Sequence, residues 1–240
     1  MGKGGAAPPP AFDPATLALS GWWRASFTGS PWTANASAGL SGTLGNLTEA
    51  TNPPAVGAAL NSLTPADFDG TNDLLTGANN LDSFITSTAW SVAVLVRPVA
   101  TVDSRSVGSG YNDPAIIAET TQGYWYLTYT TSGVTIGQYD SVAGAWLETN
   151  QACSAASWHL VQAWFDGVNT SISVDSVAAT SVAATDQSLI GVGPPVLGKG
   201  FSSVFCPALV AEVMLAKVDL GATARADIKA YTNARYNLTL

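Results

Sequence analysis

The stretch Trp90-Ser-Val-Ala-Val-Leu-Val-Arg-Pro98 constrains the fold more than any other. Trp90, Val92, Val94 and Val96 alternate with Ser91, Ala93, Leu95 and Arg97, so both faces of an extended strand here are largely apolar. A strand with two apolar faces needs cover on both sides, which predicts a central position in a layered β structure. Further strand-like runs bounded by turn residues surround it. Leu17–Arg24 reads as a first strand, and Ala66–Leu75 as two short strands about a Gly70 turn. Pro114–Glu119 is another candidate. Tyr124–Thr130 and Val134–Tyr139 flank Thr131-Ser-Gly133, and Ser157–Phe165 and Thr170–Val174 flank Asp166-Gly167, each pair predicting a hairpin. Val204–Val218 reads as a long apolar strand interrupted by Pro207. The tandem SVAAT at 176–185 has a period of five, too short for a solenoid unit, and reads as a strand running into a loop. Only Ala222–Arg235 changes period. Ile228, Tyr231 and Tyr236 recur at helical steps, predicting one amphipathic helix. The expected class is all-β, an antiparallel sandwich with one short C-terminal helix and an extended N-terminal arm.

Composition supports one large core. Of 240 residues, 47% are hydrophobic and 11% charged, too apolar for a disordered chain. The net charge of -8 and the thin scatter of Lys and Arg leave no basic cluster, so no nucleic-acid partner is expected. Mean hydropathy is positive at +0.21. Even so, the most apolar run, Val92–Val96, is closed by Arg97 and Pro98, far short of the roughly twenty residues of a membrane helix. The opening MGKGGAAPPP has no apolar h-region and does not read as a secretory signal. Residues 1–12 read as a flexible Gly/Pro-rich arm, with Lys3 and the extended Pro8-Pro9-Pro10 as contacts for a neighbouring subunit, and 13–240 as one domain. Cys153 and Cys206 fit no zinc spacing; two thiols are expected, with a single disulfide as the alternative.

The ordered set Phe68-Asp-Gly-Thr-Asn-Asp73, Trp90–Pro98, Trp158-His-Leu-Val-Gln-Ala-Trp-Phe-Asp-Gly167, Ser173-Val-Asp175 and Val210-Ala-Glu-Val-Met214, followed by a terminal helix, resembles the concanavalin A-like, laminin G-like superfamily over residues 17–240. The resemblance implies a jelly-roll sandwich of two antiparallel sheets. It is nearest to versions found in bacteriophage structural proteins and bacterial surface proteins, on the Trp-rich opening Gly21-Trp-Trp-Arg24 and the Ala, Arg and Tyr pattern of 224–236. By fold-level analogy this implies a virion accessory protein, a head or tail component anchored by its arm within a homo-oligomeric or symmetric assembly and touching host-surface glycans. The alternatives are a free carbohydrate-binding protein and a glycoside hydrolase.

Catalytic chemistry finds little support in the residues. Glucanases of the superfamily carry Glu-x-Asp-x-x-Glu on one strand, and Glu49, Glu119, Glu148 and Glu212 do not form it. His159 is the single histidine and reads as structural. No Gly-x-Ser-x-Gly elbow or phosphate loop occurs, and no enzyme is expected. Asp67, Asp69 and Asp73, with Asn72, offer hard oxygen ligands to calcium, or else Asp69 and Asn72 close a turn while Phe68 and Leu74 point inward. For sugar stacking the candidates are Tyr111, Asn112, Asp113, Trp125 and Trp146, set against the expectation that most Trp fill the core. Alternation puts Trp125, Leu127 and Tyr129 on one face and Tyr124 and Tyr126 on the other, without saying which is exposed.

Overall fold

The computed structural model describes residues 12–35, 47–49, 51–99, 115–119, 125–130, 133–184, 193–200 and 204–240. The arm contacts Lys3, Pro8, Pro9 and Pro10 lie outside these residues. Two antiparallel sheets face each other. The first contains β1 (Leu19–Arg24), β3 (Ala55–Val56), β4 (Ala66–Phe68), β6 (Trp90–Pro98), β11 (His159–Phe165), β12 (Asn169–Val174), β13 (Thr180–Ala183) and β15 (Ala208–Ala216). Its order is β13-β12-β11-β6-β15-β4-β3, with β1 also pairing β15. The second contains β2 (Leu47–Thr48), β5 (Leu75–Gly77), β7 (Ala115–Glu119), β8 (Trp125–Thr130), β9 (Gly133–Asp140), β10 (Ala145–Gln151) and β14 (Pro195–Leu197), in the order β10-β9-β8-β7-β14-β5-β2.

β6 lies centrally, as its two apolar faces require, between β11 and β15. Its inward residues Val92, Val94 and Val96 join Trp90, Val161, Phe165, Val213 and Leu215 in the layer between the sheets. From the second sheet come Trp125, Leu127, Tyr129, Val134 and Ile136. Trp90 and Trp125 meet edge to face at 5.6 Å between ring centroids, the geometry their quadrupoles favour.

The outward residues of the first sheet are apolar because a helix covers them. α1 (Gly221–Tyr236) turns Ile228, Thr232 and Tyr236 inward, at four-residue spacing. Ile228 packs with Leu19, Trp22, Ala93, Leu160 and Met214, and Tyr236 with Ala25, Leu95 and Ala211. Under the helix, buried Glu212 accepts from Trp22 Nε1 at 2.6 Å and Tyr231 Oη at 3.1 Å, which joins β1, β15 and α1. Burial pushes the Glu212 carboxyl above its ordinary range.

Three sequence expectations change. The strand expected over 204–218 begins only at Ala208, after Pro207. Leu75, not Leu74, is the buried residue after the Gly70 turn. β10 had no counterpart in the sequence reading. Its free edge is tied to the first sheet, because Thr149 Oγ1 donates to Thr180 Oγ1 at 2.9 Å and Thr180 Oγ1 donates to the Asn150 carbonyl at 2.8 Å. The sandwich is thereby closed along one side.

Because Trp90 is fully buried in the inter-sheet layer, Trp90→Ala should lower the unfolding free energy by about 3–5 kcal/mol in urea titrations. Val177→Ala, at a side chain 51% exposed, should change it by under about 0.5 kcal/mol.

Candidate functional site

With one outer face under the helix, the outer face of the second sheet is the broad surface on which no described helix or sheet packs. Strand register builds its middle. Tyr126 of β8 stands opposite Gly137 of β9, which stands opposite Glu148 of β10. Gly137 has no side chain, so the Tyr126 ring lies across it. A Cβ at 137 would come 2.1 Å from Tyr126 Cζ. Lying flat, Tyr126 reaches the third strand, where its hydroxyl donates to Glu148 Oε1. One row along, Tyr139 and Trp146 are cross-strand partners with ring centroids 5.6 Å apart and planes at 70°. Trp146 also lies 5.3 Å from Tyr126. One row the other way, Thr128 and Thr135 pair, and Asn150 Nδ2 donates to Thr135 Oγ1 at 3.0 Å. Thr128 is fully buried and its hydroxyl finds no partner. Tyr126, Thr128 and Thr135 are buried, at 3%, 0% and 1% exposure, so what reaches the surface is the half-buried pair Tyr139 and Trp146 beside the exposed Glu148 carboxylate.

Of the sugar-stacking candidates, Trp146 is on this surface. Trp125 is not: it faces the core, fully buried against Trp90, and its place is a correction to the sequence reading. Tyr111, Asn112 and Asp113 lie outside the described residues. Tyr126, Tyr139 and Glu148 were missed as site residues. The alternation along β8 carried the signal for Tyr126, since fixing one face as core turns the other outward.

The aspartate cluster folds as a turn. Asp69 Oδ1 accepts from the amides of Thr71 at 2.7 Å and Asn72 at 3.3 Å, and Asp73 Oδ2 accepts from the Asp69 amide at 2.9 Å. Burial raises the Asp73 carboxyl above its usual range. Among the described residues no three of His, Cys, Asp or Glu come together to hold a metal, so Asp67, Asp69 and Asp73 form no three-carboxylate calcium site. The cysteines are not bonded to each other. Cys206 is buried, which pushes its thiol up to about 12, whereas Cys153 is only half-buried.

His159 sits in a constellation that the sequence did not reveal. Its Nδ1 is 2.7 Å from Asp175 Oδ2, and its Nε2 is 3.0 Å from Ser154 Oγ and 3.1 Å from the Ser154 carbonyl. The residue types are those of a nucleophilic triad, yet the hydrogen bonds are those of a clamp. A carbonyl only accepts, so Nε2 donates to it, and the carboxylate holds a proton on Nδ1. Both nitrogens donate and the ring is an imidazolium. Its pKa rises to about 10, chiefly through the hydrogen bond to Asp175, with Cys153 adding and burial opposing. An imidazolium cannot take a proton from Ser154. The clamp fastens the 152–158 loop, which Arg97 Nε also holds through the Ala156 carbonyl at 3.1 Å. The signal for the pairing was the Asp166-Gly167 hairpin, whose register sets Asp175 against Leu160: Asp175 N donates to the Leu160 carbonyl at 2.9 Å and Leu160 N donates to Asp175 Oδ1 at 2.9 Å.

No family model and no curated protein matches the chain. Solved structures do. The binding domain of Paraclostridial Mosquitocidal Protein 1 superposes with a TM-score of 0.63 at 11% identity, over 91% of this chain and 52% of that one. Domain 4 of AbnA, a GH43 extracellular arabinanase from Geobacillus stearothermophilus solved with arabinotriose, gives 0.57 at 12% identity, over 89% and 96%. Trypanosoma rangeli sialidase, solved with sialic acid, gives 0.57 at 14%, over 89% of this chain but 33% of its own length. The chain thus spans about half of the toxin domain structure and nearly all of the arabinanase domain. At these identities the likeness is one of fold. The two-sheet sandwich implied by the superfamily resemblance is present, while the step to bacteriophage proteins is not reached by a likeness of fold.

Gly137→Ala should lift Tyr126 off β9 and break its contact with Glu148, costing about 1–3 kcal/mol in thermal or urea unfolding. A crystal structure of the variant with Tyr126 unmoved would contradict this account. The raised His159 pKa sets a sign for pH. Its contribution is full below the unfolded value of about 6.5 and is lost as pH rises through about 10. Unfolding midpoints should therefore fall between about pH 6.5 and 10, and His159→Gln should flatten that fall.

Proposed function

We propose that the protein is a non-catalytic carbohydrate-binding domain that takes glycans on the outer face of the second sheet. The observation that carries this reading is the half-buried ring pair Tyr139 and Trp146, backed by the buried Tyr126 ring and set beside the exposed Glu148 carboxylate. Pyranose and furanose rings present C–H faces that pack on aromatic rings, and hydroxyls that need acceptors and donors at the rim. Here Trp146 and Tyr139 offer the faces and Glu148 and Asn150 the rim groups. The arabinanase domain, similar in fold and nearly equal in extent, was solved with arabinotriose, which supports a sugar as the class of ligand. The clamped, protonated His159 and the enclosed Glu212 support binding over hydrolysis.

A second reading is a virion component. It draws on the Gly/Pro composition of residues 1–12 and on the resemblance to phage proteins. A chain lacking residues 1–12 would then fold but fail to enter particles, and normal incorporation would end that reading. The two readings are compatible, since an arm-anchored sandwich can present a glycan-binding face.

Trp146→Ala should weaken glycan binding at least tenfold, about 1.4 kcal/mol in calorimetric titration, while leaving the melting temperature within a few degrees, because Trp146 lies outside the inter-sheet layer. Undiminished binding by that variant would remove the outer face from the account.

A further inference from the structure

We infer that the outer face of the second sheet selects neutral glycans and rejects those carrying carboxylates, with Glu148 as the residue that decides. This inference rests on the reading of that face as a glycan site, and it names the substrate class.

Charge distribution is the first ground. The seven strands of the second sheet read LT, LTG, AIIAE, WYLTYT, GVTIGQYD, AWLETNQ and PVL, and none contains Lys or Arg. The basic residues on described strands, Arg24 and Arg97, belong to the first sheet, and Arg225, Lys229 and Arg235 belong to the helix. Several are already committed. Arg225 stacks on Trp164 at 3.9 Å and pairs with Asp219, and Arg97 holds the 152–158 loop. Recognition of a sugar carboxylate normally uses Arg or Lys in a forked or point-charge contact. The strands of this face carry neither, and Lys199, two residues beyond β14, lies over the Phe205 ring.

The geometry of Glu148 is the second. Its side chain is exposed, its Oε1 accepts from Tyr126 Oη, and among the described residues no cation pairs with it. Tyr126 fixes the carboxylate beside the aromatic surface, leaving Oε2 to accept from sugar hydroxyls. An ionised carboxylate accepts only, so it suits a donor-rich neutral diol and repels a second carboxylate brought alongside. The chain's net charge of -8 adds a long-range field of the same sign.

The test is titration of the full chain, at low and at physiological salt, with two sets of probes. One set is neutral arabino-, gluco- and galacto-oligosaccharides; the other is sialyl- and uronate-bearing oligosaccharides of similar length. The expected result is binding of at least one neutral probe and at least tenfold weaker binding of every acidic probe, with the gap narrowing as salt rises. Glu148→Gln keeps an acceptor for Tyr126 and removes the charge, and should shrink the gap severalfold with the melting temperature unchanged. Acidic probes binding as well as neutral ones would overturn the selectivity while leaving the glycan site standing. An unchanged gap in Glu148→Gln would remove Glu148 as its cause. Failure of every probe to bind would overturn the glycan reading itself, and this inference with it.

Discussion

The apolar layer between the two sheets is what the remainder of the molecule depends on. Trp90 enters it from the centre of the first sheet and Trp125 from the second, and their edge-to-face contact fixes which side of each strand points inward. Strand side chains alternate, so this choice also fixes what points out. On β6 the outward set is Ser91, Ala93 and Leu95, which needs cover, and the C-terminal helix provides it. On β8 the outward set is Tyr126 and Thr128, to which Tyr139 and Trp146 of the neighbouring strands are added. The two outer faces therefore differ in kind: one is a second hydrophobic contact, and the other a layer of aromatic and polar side chains that reaches solvent at Tyr139, Trp146 and Glu148.

That surface owes its shape to an omission. Any side chain at position 137 would hold Tyr126 away from the sheet, and the row from β8 to β10 would break into separate groups. Glycine lets one ring span the middle strand and place its hydroxyl on Glu148. β10 in turn is held at its free edge by Thr149 and Thr180. An edge strand pinned in this way presents Trp146 and Glu148 from a fixed backbone.

The architecture was legible where physical pattern and position agreed. The doubly apolar β6, the hairpins about Gly133 and Asp166-Gly167, and the terminal helix all appear as the sequence implied, and α1 differs by one residue at each end. β10 was not legible, because Ala-Trp-Leu-Glu-Thr-Asn-Gln alternates weakly and an edge strand needs only one covered face. The site was half legible. Trp146 was picked out, but Trp125 was grouped with it because a single strand's alternation cannot say which face meets the core. Tyr139 and Glu148 became site residues only through cross-strand register, which no one segment contains. Likewise Ser154, His159 and Asp175 meet through a hairpin and a loop, and the finding that they form a clamp needed the Ser154 carbonyl, a backbone atom.

The proposed glycan site lies on the outer face of β8, β9 and β10. It is tested most simply by mapping backbone amide chemical-shift changes in the full chain on titration with a neutral oligosaccharide such as arabinotriose. The largest changes are expected at Tyr126–Thr128, Gly137–Tyr139 and Trp146–Glu148, with residues under α1 still. Changes centred on the 152–158 loop or the Asp69–Asp73 turn, with β8 to β10 silent, would contradict it.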